Sequence, residues 1–587
     1  MHRLIAPLAA WLLLGTGSWA LADKPAEKPA DLILRSGKVV TVDPKFTIHA
    51  ALAVRDGRVL TMGSNEQVMA TAGPKTEIVD LDGKLVLPGL IDSHTHPLDA
   101  SMTEFEHEIP PMESIADVLA YIRQRAAAAQ PGEWIVLRQV FITRLAEQRY
   151  PTKAELDAAA PNNPVVYSTG PDASVNTLAL KASGIDRNFQ PAAGGKIEHD
   201  PVTGEPTGIL RSALSYVKGR AVGRKATPAE QDARLEKLFD DYNANGLTSI
   251  IDRDCSAGSI ARYSRLRAAD KLRVRVAISH DVSSKGKLSD IQERIREVAR
   301  HPLCRPDPML RIIGIKTYLD GGMLTGSAYM LKPWGVSQIY SIDDPRYRGL
   351  RYIEPDVLLG MVQTTVESGL QFTAHSVGDA AVQGLLDAYE EVNRTSPIAP
   401  TRPCITHSNF MTPESIAQAG RLKVALDIQP AWLYLDAKTL VAQFGYDRLR
   451  WFQPLQTIFE QGVIAGGGSD HMQKIGGLRA VNPYDPMLAM WVAVTRKSQG
   501  YPQPLHPEEA LTREQAIRFY TINNAYIMFL DDQIGSLEPG KLADMVVVDR
   551  DLLACPADDI RDAKVLRTYL GGKLIYKRGQ NDFNKSF

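Results

Sequence analysis

The chain has 587 residues, of which 44% are hydrophobic and 23% charged, as in an ordinary globular protein. Its formal net charge of −1 provides no basic surface for nucleic acid or anionic membranes, so neither is expected as a partner. Length alone favours about four domains, but a decorated (β/α)8 barrel can hold more than about 400 residues in one unit. The four cysteines are widely spaced without a CxxC pair, and we expect them to be buried small hydrophobic residues.

The first residues have the pattern of a secretory signal. Residues 1–3 give a positive start, residues 4–14 are an apolar run broken only by a proline, and residues 20–22 form a small-x-small cleavage site. A membrane anchor is the alternative, but the run is shorter than the roughly 20 residues that a span needs. The sequence predicts an exported protein, periplasmic or secreted, with a signal peptide at 1–22, a linker at 23–30 and no membrane contact after cleavage.

Short alternating strands occur at both ends of the chain. Turn signals such as Asp56-Gly57 and Asp82-Gly83 separate the strands near the start, as in a β-meander. Similar strands return only near the C-terminus, at 544–549 and 573–576. We therefore expect one small β-sandwich assembled from residues 31–88 and 534–587.

The central part predicts an α/β fold, because continuous apolar runs alternate with helix-length segments there. Buried parallel strands have this character, and eight of them are the number that a TIM barrel needs. We place the barrel at residues 89–533. The eight predicted strands are 85–92, 248–252, 274–279, 312–316, 370–375, 404–407, 423–428 and 463–470.

About 150 residues separate the first two strands, far more than one crossover helix requires. Residues 97–245 must therefore hold an inserted subdomain, which we expect to be a lid over the active face. Within it the sequence predicts a helix near 114–129 and a strand near 134–140.

Polar residues of one chemical kind follow these apolar runs, at the edge where barrel enzymes place their catalytic groups. His94 and His96 are two residues apart on a strand, so they point to the same face and can bind one metal ion together. The others end strands four, five, six and eight: Lys316, His375, His407 and Asp470.

Each of these residues alone has an ordinary structural explanation, since an HxH pair or a single strand-end histidine occurs in many cores. A buried Lys or Asp, however, is costly unless it is paired or binds a metal. A protonated lysine has no acceptor, so Lys316 must be neutral or carbamylated to act as a ligand. The occurrence of such residues at the ends of five strands together predicts a metal site.

The motifs around these positions resemble the metal-dependent amidohydrolase superfamily, in the branch that contains N-substituted formamide deformylases (amidohydrolase family 3). The resemblance extends from about residue 31 to about 576. The motifs are LPGLIDSHTHP at 87–97, GIKTYLDGG at 314–322, AHSVGD at 374–379, ITHS at 405–408, IQP at 428–430, GSD at 468–470 and GSLEPGKLADMVVV at 535–548.

This resemblance implies a hydrolase of carbon–nitrogen bonds other than peptide bonds, with one or two divalent ions per chain. Zinc is the expected metal because histidines dominate the ligands. His94 and His96 match the histidines of the more buried metal site, and His375 and His407 match those of the second. Lys316 matches a lysine that becomes a bridging carbamate in many relatives. Asp470 matches the aspartate that binds the first metal and transfers protons.

The chain departs from its relatives in the insertion, which faces the substrate. Pro171 stands where relatives often have a histidine, so we expect that one substrate contact is lost there or replaced by Asp172. Arg211 and Ser212 stand near the place of a common glutamate. The predicted metal ligands themselves are unchanged.

Four further residues are weaker candidates for substrate contacts. Asp320 could face the site or belong to a plain turn, and Arg253 could bind a substrate carboxylate or form an internal salt bridge. Gln429 could donate a hydrogen bond to substrate, and His471 could touch it or lie at the rim.

The site leaves alternatives open. It could cleave a lactone or ester of a small molecule instead of an amide, or the protein could be a catalytically inactive exported binding protein. The sequence does not decide whether the chain forms a homodimer.

Overall fold

The structure, a computed structural model, describes residues 28–170, 172–191, 195–219 and 223–579. The predicted signal peptide, most of the linker and Pro171 lie outside the described residues. No helix in the described part of the chain has the length and apolar character that a membrane crossing needs. The four cysteines, all described, are free.

The N-terminal strands belong to two sheets that face each other. Strands β5, β4, β1 and β6 form one sheet in that order, and β2 pairs with β3 and β7 in the other. Side chains from both sheets, including Leu34, Val54 and Val86, share one buried core. The elements are β1 (Leu32–Arg35), β2 (Lys38–Val40), β3 (Ile48–His49), β4 (Ala51–Arg55), β5 (Arg58–Gly63), α1 (Asn65–Met69), β6 (Glu77–Asp80) and β7 (Leu85–Pro88).

The run predicted as the first barrel strand, residues 85–92, is in fact divided between two sheets. β7 stays in the end sheet, and β8 (Leu90–Thr95) is the first barrel strand. The chain passes from one to the other at Gly89, where an added Cβ would overlap the side chain of Thr248. A glycine is needed for this close approach.

The insertion after β8 carries a five-stranded sheet with the order β12-β13-β11-β10-β9 and a core of its own. The predicted helix is present as α3, and Ser114 caps it by accepting a hydrogen bond from the Asp117 backbone N–H. The elements are α2 (Pro97–Ala100), α3 (Ile115–Ala128), β9 (Ile135–Leu137), α4 (Lys153–Ala159), β10 (Val165–Ser168), β11 (Ala173–Val175), α5 (Thr177–Ser183), β12 (Lys196–His199) and β13 (Pro206–Arg211).

Eight parallel strands form the barrel, in the order β8-β14-β15-β16-β17-β18-β19-β20. Its elements are α6 (Pro228–Ala244), β14 (Leu247–Cys255), α7 (Ala257–Ala268), β15 (Arg275–Asp281), α8 (Leu288–Ala299), β16 (Leu310–Tyr318), α9 (Pro355–Glu367), β17 (Gln371–Ser376), α10 (Asp379–Asn393), β18 (Cys404–His407), α11 (Pro413–Leu422), β19 (Ala425–Ile428), α12 (Pro430–Phe444), α13 (Leu455–Glu460) and β20 (Ala465–Gly467).

The ends of β8 and β20 close the barrel. The backbone N–H of Asp470 donates to the His94 carbonyl at 2.8 Å, and Thr95 and His471 form a parallel bridge. This contact places two predicted ligand segments side by side. The predicted TIM barrel is confirmed.

The chain then returns to the end sheets through α14 (Pro486–Thr495), α15 (Arg513–Phe519) and α16 (Ile522–Ile527). Strands β21 (Met545–Val548), β22 (Val565–Leu570) and β23 (Lys573–Lys577) complete a six-stranded sheet with the order β23-β22-β21-β7-β2-β3. The two ends of the chain therefore build one sandwich, as the fold prediction states.

Candidate metal centre and its cavity

A cavity of about 960 Å³ opens at the carboxyl ends of the barrel strands. All six predicted metal ligands line it, as do the insertion residues Leu137 and Phe141. Its size is in the range of ordinary small-molecule sites. The insertion therefore forms part of the wall of the cavity that contains the predicted ligands.

Three of the six ligands converge closely, and we call them the first group: His94, His96 and Asp470. The Nε2 atoms of the two histidines are 3.2 Å apart, and Asp470 Oδ1 lies 3.1 Å from His96 Nε2 and 3.3 Å from His94 Nε2. Four-coordinate zinc with Zn–N distances near 2.05 Å would hold two ligand nitrogens about 3.3 Å apart. The spacing of the first group fits a divalent ion.

A buried carboxylate orients His94. Its Nδ1 lies 3.1 Å from Asp427 Oδ2, and because a carboxylate only accepts, Nδ1 carries the proton. The Nε2 lone pair is therefore free to face His96 and Asp470. Carboxylate–histidine pairs of this kind fix the tautomer and the ring orientation of metal ligands.

The remaining three ligands, Lys316, His375 and His407, form a looser second group. The rings of His375 and His407 meet edge to face with centroids 4.4 Å apart, and the His407 ring stacks on Trp432 at 4.7 Å. Among the described residues, no hydrogen bond or ion pair is found for the Lys316 amine, whose Nζ lies 5.1 Å from the Tyr318 ring centroid. A buried amine without a partner fits a lysine that is modified or bound to a metal.

Gln429 connects the second group to the first. His407 Nδ1 donates to Gln429 Oε1 at 2.8 Å, and Gln429 Nε2 donates to Asp427 Oδ1 at 2.8 Å. Asp427 thus orients a histidine of each group, one directly and one through Gln429. Sequence reasoning treated Gln429 as a substrate contact and missed Asp427, although a charged residue within the apolar run 423–428 was a usable signal.

Arg253 and His471 do not reach the cavity. Arg253 is completely buried, and its guanidinium pairs with Asp427 and donates to Ser279 and Gln371. His471 Nδ1 accepts from the Tyr242 hydroxyl at 2.8 Å, and its Nε2 donates to the Lys474 carbonyl at 2.7 Å. The Arg253 guanidinium and both ring nitrogens of His471 thus have partners within the protein. The structure therefore does not support a substrate contact for either residue.

Asp320 lines the cavity, but its carboxylate binds backbone groups of the protein. It accepts backbone N–H groups of Tyr329, Val377 and Gly378 at 2.9–3.0 Å. Burial raises its pKa to about 7. The residue anchors the start of the β16–α9 loop to the start of α10.

The surroundings shift the pKa values of the site histidines in opposite directions. Burial and the neighbouring Lys316 charge lower the pKa of His375 to about 3 and that of His94 well below its usual range. Neutral imidazole is the form that binds metal. For His96 the effect of burial is outweighed by Asp470, whose hydrogen bond and charge raise the His96 pKa.

The backbone is strained beside the predicted ligands. Asp470 has φ of 55°, His407 has φ of 81° and Ser408 has φ of 46°, all in the left-handed region that non-glycine residues avoid. Such strain persists where the surrounding structure holds it and clusters at functional sites.

Comparisons with known proteins identify the family of the chain. The model of the amidohydrolase family matches residues 77–576. The N-substituted formamide deformylase of Arthrobacter pascens is 29% identical over 560 residues, which cover 93% of this chain and 98% of the relative. The putative amidohydrolase YtcJ of Bacillus subtilis is 26% identical, covering 93% and 99%.

The fold is also found in a solved structure. The chain resembles an uncharacterized metal-dependent hydrolase from Pyrococcus horikoshii with a TM-score of 0.66 and 23% identity, covering 90% of this chain and 99% of the other. Since the family model covers most of the chain, this protein belongs to the amidohydrolase family and is a hydrolase of carbon–nitrogen bonds other than peptide bonds.

Proposed function

We propose that the protein is an exported amidohydrolase that cleaves a non-peptide amide or N-acyl bond of a small molecule, with one or two zinc ions held by the six predicted ligands. The observation that carries this proposal is the first group, where two imidazole nitrogens and one carboxylate oxygen lie within 3.3 Å of one another inside the cavity. The named activity of the Arthrobacter pascens relative, a formamide deformylase, supports the amide bond as the target.

Bound dications lower the pKa of water from about 15.7 to about 7 and polarise a scissile carbonyl. Within the protein, His94 and His96 would hold the ion through their Nε2 atoms, and Asp427 keeps the His94 ring in position. Lys316, once carbamylated on its amine, would supply an oxygen ligand to the second group.

Asp470 is the proposed proton carrier. Its Oδ1 sits beside the two Nε2 atoms, and it lines the cavity in which the substrate would bind. We propose that its carboxylate accepts the proton of the attacking water and delivers it to the leaving nitrogen, as general acid–base catalysis requires. The apolar wall residues, among them Phe141 and Trp432, would exclude bulk water from this step.

The proposal is tested with Asp470→Asn and His94→Ala, both purified without chelators, and with Asp240→Asn as a matched control in an exposed ion pair. We expect Asp470→Asn to lower kcat by about 10²–10⁴-fold with most of its metal retained, because the amide keeps an oxygen for the metal but cannot accept the proton. His94→Ala should lose metal, and the control should match the wild type in both respects. Elemental mass spectrometry gives metal per chain. Wild-type turnover in Asp470→Asn would refute the proposed role.

Pairs of matched amides and esters separate this activity from that of an esterase or lactonase. Faster turnover of the amides is expected. Export is tested by sequencing the N-terminus of protein recovered from outside the cytoplasm, which should begin at Asp23, and by deleting residues 1–22, which should retain the protein inside. Absence of both metal and turnover would favour the inactive binding protein.

A further inference from the structure

The loop between β16 and α9, residues 319–354, forms one side of the cavity, and we call it the wall loop. Its residues Met323, Leu324, Thr325 and Tyr352 line the cavity. It has little regular structure apart from a short 3-10 turn at Met323–Thr325. The position of this turn must therefore be set by contacts with its neighbours.

Asp320 fixes the beginning of the wall loop, as described above, and Arg211 holds its middle. Arg211 ends β13 in the insertion, and its side chain is 11% exposed. Nη1 donates to the Thr325 carbonyl at 3.0 Å, and Nη2 donates to the Tyr340 carbonyl. Both acceptors are backbone atoms of the wall loop, one of them in the cavity-lining turn.

The same guanidinium is fixed within the insertion by two carboxylates. Its Nε donates to Glu198 Oε1 at 2.8 Å, and Nη1 lies 3.2 Å from Asp172 Oδ2. Asp172 also accepts the Ser212 backbone N–H at 2.7 Å. Arg211 is therefore held by carboxylates of the insertion and donates hydrogen bonds to the backbone of the wall loop.

A second contact next to Arg211 supports the same connection. The Ser212 hydroxyl lies 2.8 Å from the hydroxyl of Tyr352, which lines the cavity. Ser212 has φ of 46°, in the left-handed region that non-glycine residues avoid, so the surrounding structure holds its backbone in a strained conformation. Arg211 and Ser212 thus bind the wall loop at three points.

We propose that Arg211 is a positioning residue that determines substrate specificity: by holding the Thr325 and Tyr340 carbonyls it fixes the wall loop, and thereby limits the bulk of the substrate group that the cavity accepts. The proposal rests on the proposed function only for the identity of the cavity as the substrate site. The planar fork of arginine is required, because its three nitrogens donate to acceptors in the insertion and in the wall loop at once, whereas all N–H groups of lysine belong to one nitrogen.

The test uses Arg211→Met and Arg211→Lys as metal-loaded full-length protein, with Arg187→Met as the control. Arg187 forms an exposed ion pair with Glu205 in the same insertion. Activity is measured on formanilide, butyranilide and octananilide, which differ only in acyl length. Hydrogen–deuterium exchange with mass spectrometry measures the mobility of residues 319–354.

We expect faster exchange in the wall loop of both Arg211 variants, with exchange in the barrel helices unchanged. The ratio of kcat/KM for formanilide to that for octananilide should fall by about tenfold in Arg211→Met, because the released wall admits the longer chain. Metal content should stay as in the wild type, because the contacts of Arg211 include none of the six predicted ligands. Arg211→Lys keeps a positive charge beside Asp172 and Glu198. It therefore tests whether the guanidinium geometry is needed, even if Arg211→Met fails to fold.

Unchanged exchange at 319–354 in the Lys variant, or an unchanged ratio, would overturn the proposal. So would an equal loss on all three anilides, since this outcome describes general destabilisation. Inactivity of the wild type on every amide would count against the proposed function instead, and the exchange experiment would still decide whether Arg211 holds the wall loop.

Discussion

The two groups of predicted metal ligands differ in how far the protein assembles them. In the first group, His94, His96 and Asp470 bring their ligand atoms within 3.3 Å of one another. In the second group, His375 and His407 meet only through their rings, and the amine of Lys316 has no hydrogen-bond or ion-pair partner among the described residues. The first group is preorganised by the fold, and the second group is less closely assembled.

The difference between the groups follows from their positions in the barrel. The first group lies at the closure of the barrel, where the Asp470 N–H donates to the His94 carbonyl, so the backbone itself brings the ligands together. The second group spans three successive strands, and a carbamate on Lys316 would supply the missing acceptor. We therefore expect the first group to bind metal more tightly than the second.

The largest effect is expected from removing one histidine of each group. His94→Ala should lose the first ion and reduce activity to background, whereas His375→Ala should keep one ion per chain. Titration with a chelator and elemental mass spectrometry measure the occupancy of each variant. Equal metal loss in the two variants would show that the groups do not differ as the structure indicates.

Lys316→Met should affect only the second group. We expect metal content to fall by one ion per chain in a protein that otherwise holds two, because a methionine cannot form a carbamate. Bicarbonate should increase the activity recovered when metal is restored to the stripped wild type, but not that of the variant. Stimulation of Lys316→Met by bicarbonate would contradict the assigned modification.

Asp427→Asn should weaken metal binding by about 10–100-fold, the usual cost of losing a residue that orients a ligand. Gln429→Met is the matched variant, because Gln429 touches His407 but not His94. It should weaken the second group more than the first, because it reaches His94 only through Asp427. Competition with a fluorescent chelator gives both affinities, and a larger effect of Gln429→Met on the first ion than on the second would contradict the comparison.

A smaller effect, on stability, is expected from Tyr242→Phe beside the closure of the barrel. The change leaves the buried Nδ1 of His471 without its donor and should lower the free energy of unfolding by about 1–3 kcal/mol. Tyr167→Phe is the control, because its buried hydroxyl has no hydrogen-bond partner among the described residues. Denaturant titration compares the two, and equal effects would remove any special role for the Tyr242–His471 contact.

The barrel and the meeting of the six predicted ligands in one cavity were predictable, because both leave local signals in the sequence. An apolar run ending in His or Lys identifies a strand and its carboxyl end together, and Lys316 and His375 are such cases. The roles of Arg253 and Gln429 were not predictable, because each side chain contacts Asp427. For Arg253, this partner lies far away in the sequence. Sequence position does not show whether a strand-end side chain faces the cavity or the barrel interior.

The pairing of β7 with β21 matters for how the chain is made. Met545 lies opposite Pro88, so the strand at residues 85–88 has no partner on that edge until residues 545–548 have been synthesised. During that interval its unpaired backbone is open to other strands, as sheet edges are. The barrel lies between the two strands in the sequence, so this edge of the sandwich can be paired only after all the residues of the barrel have been made.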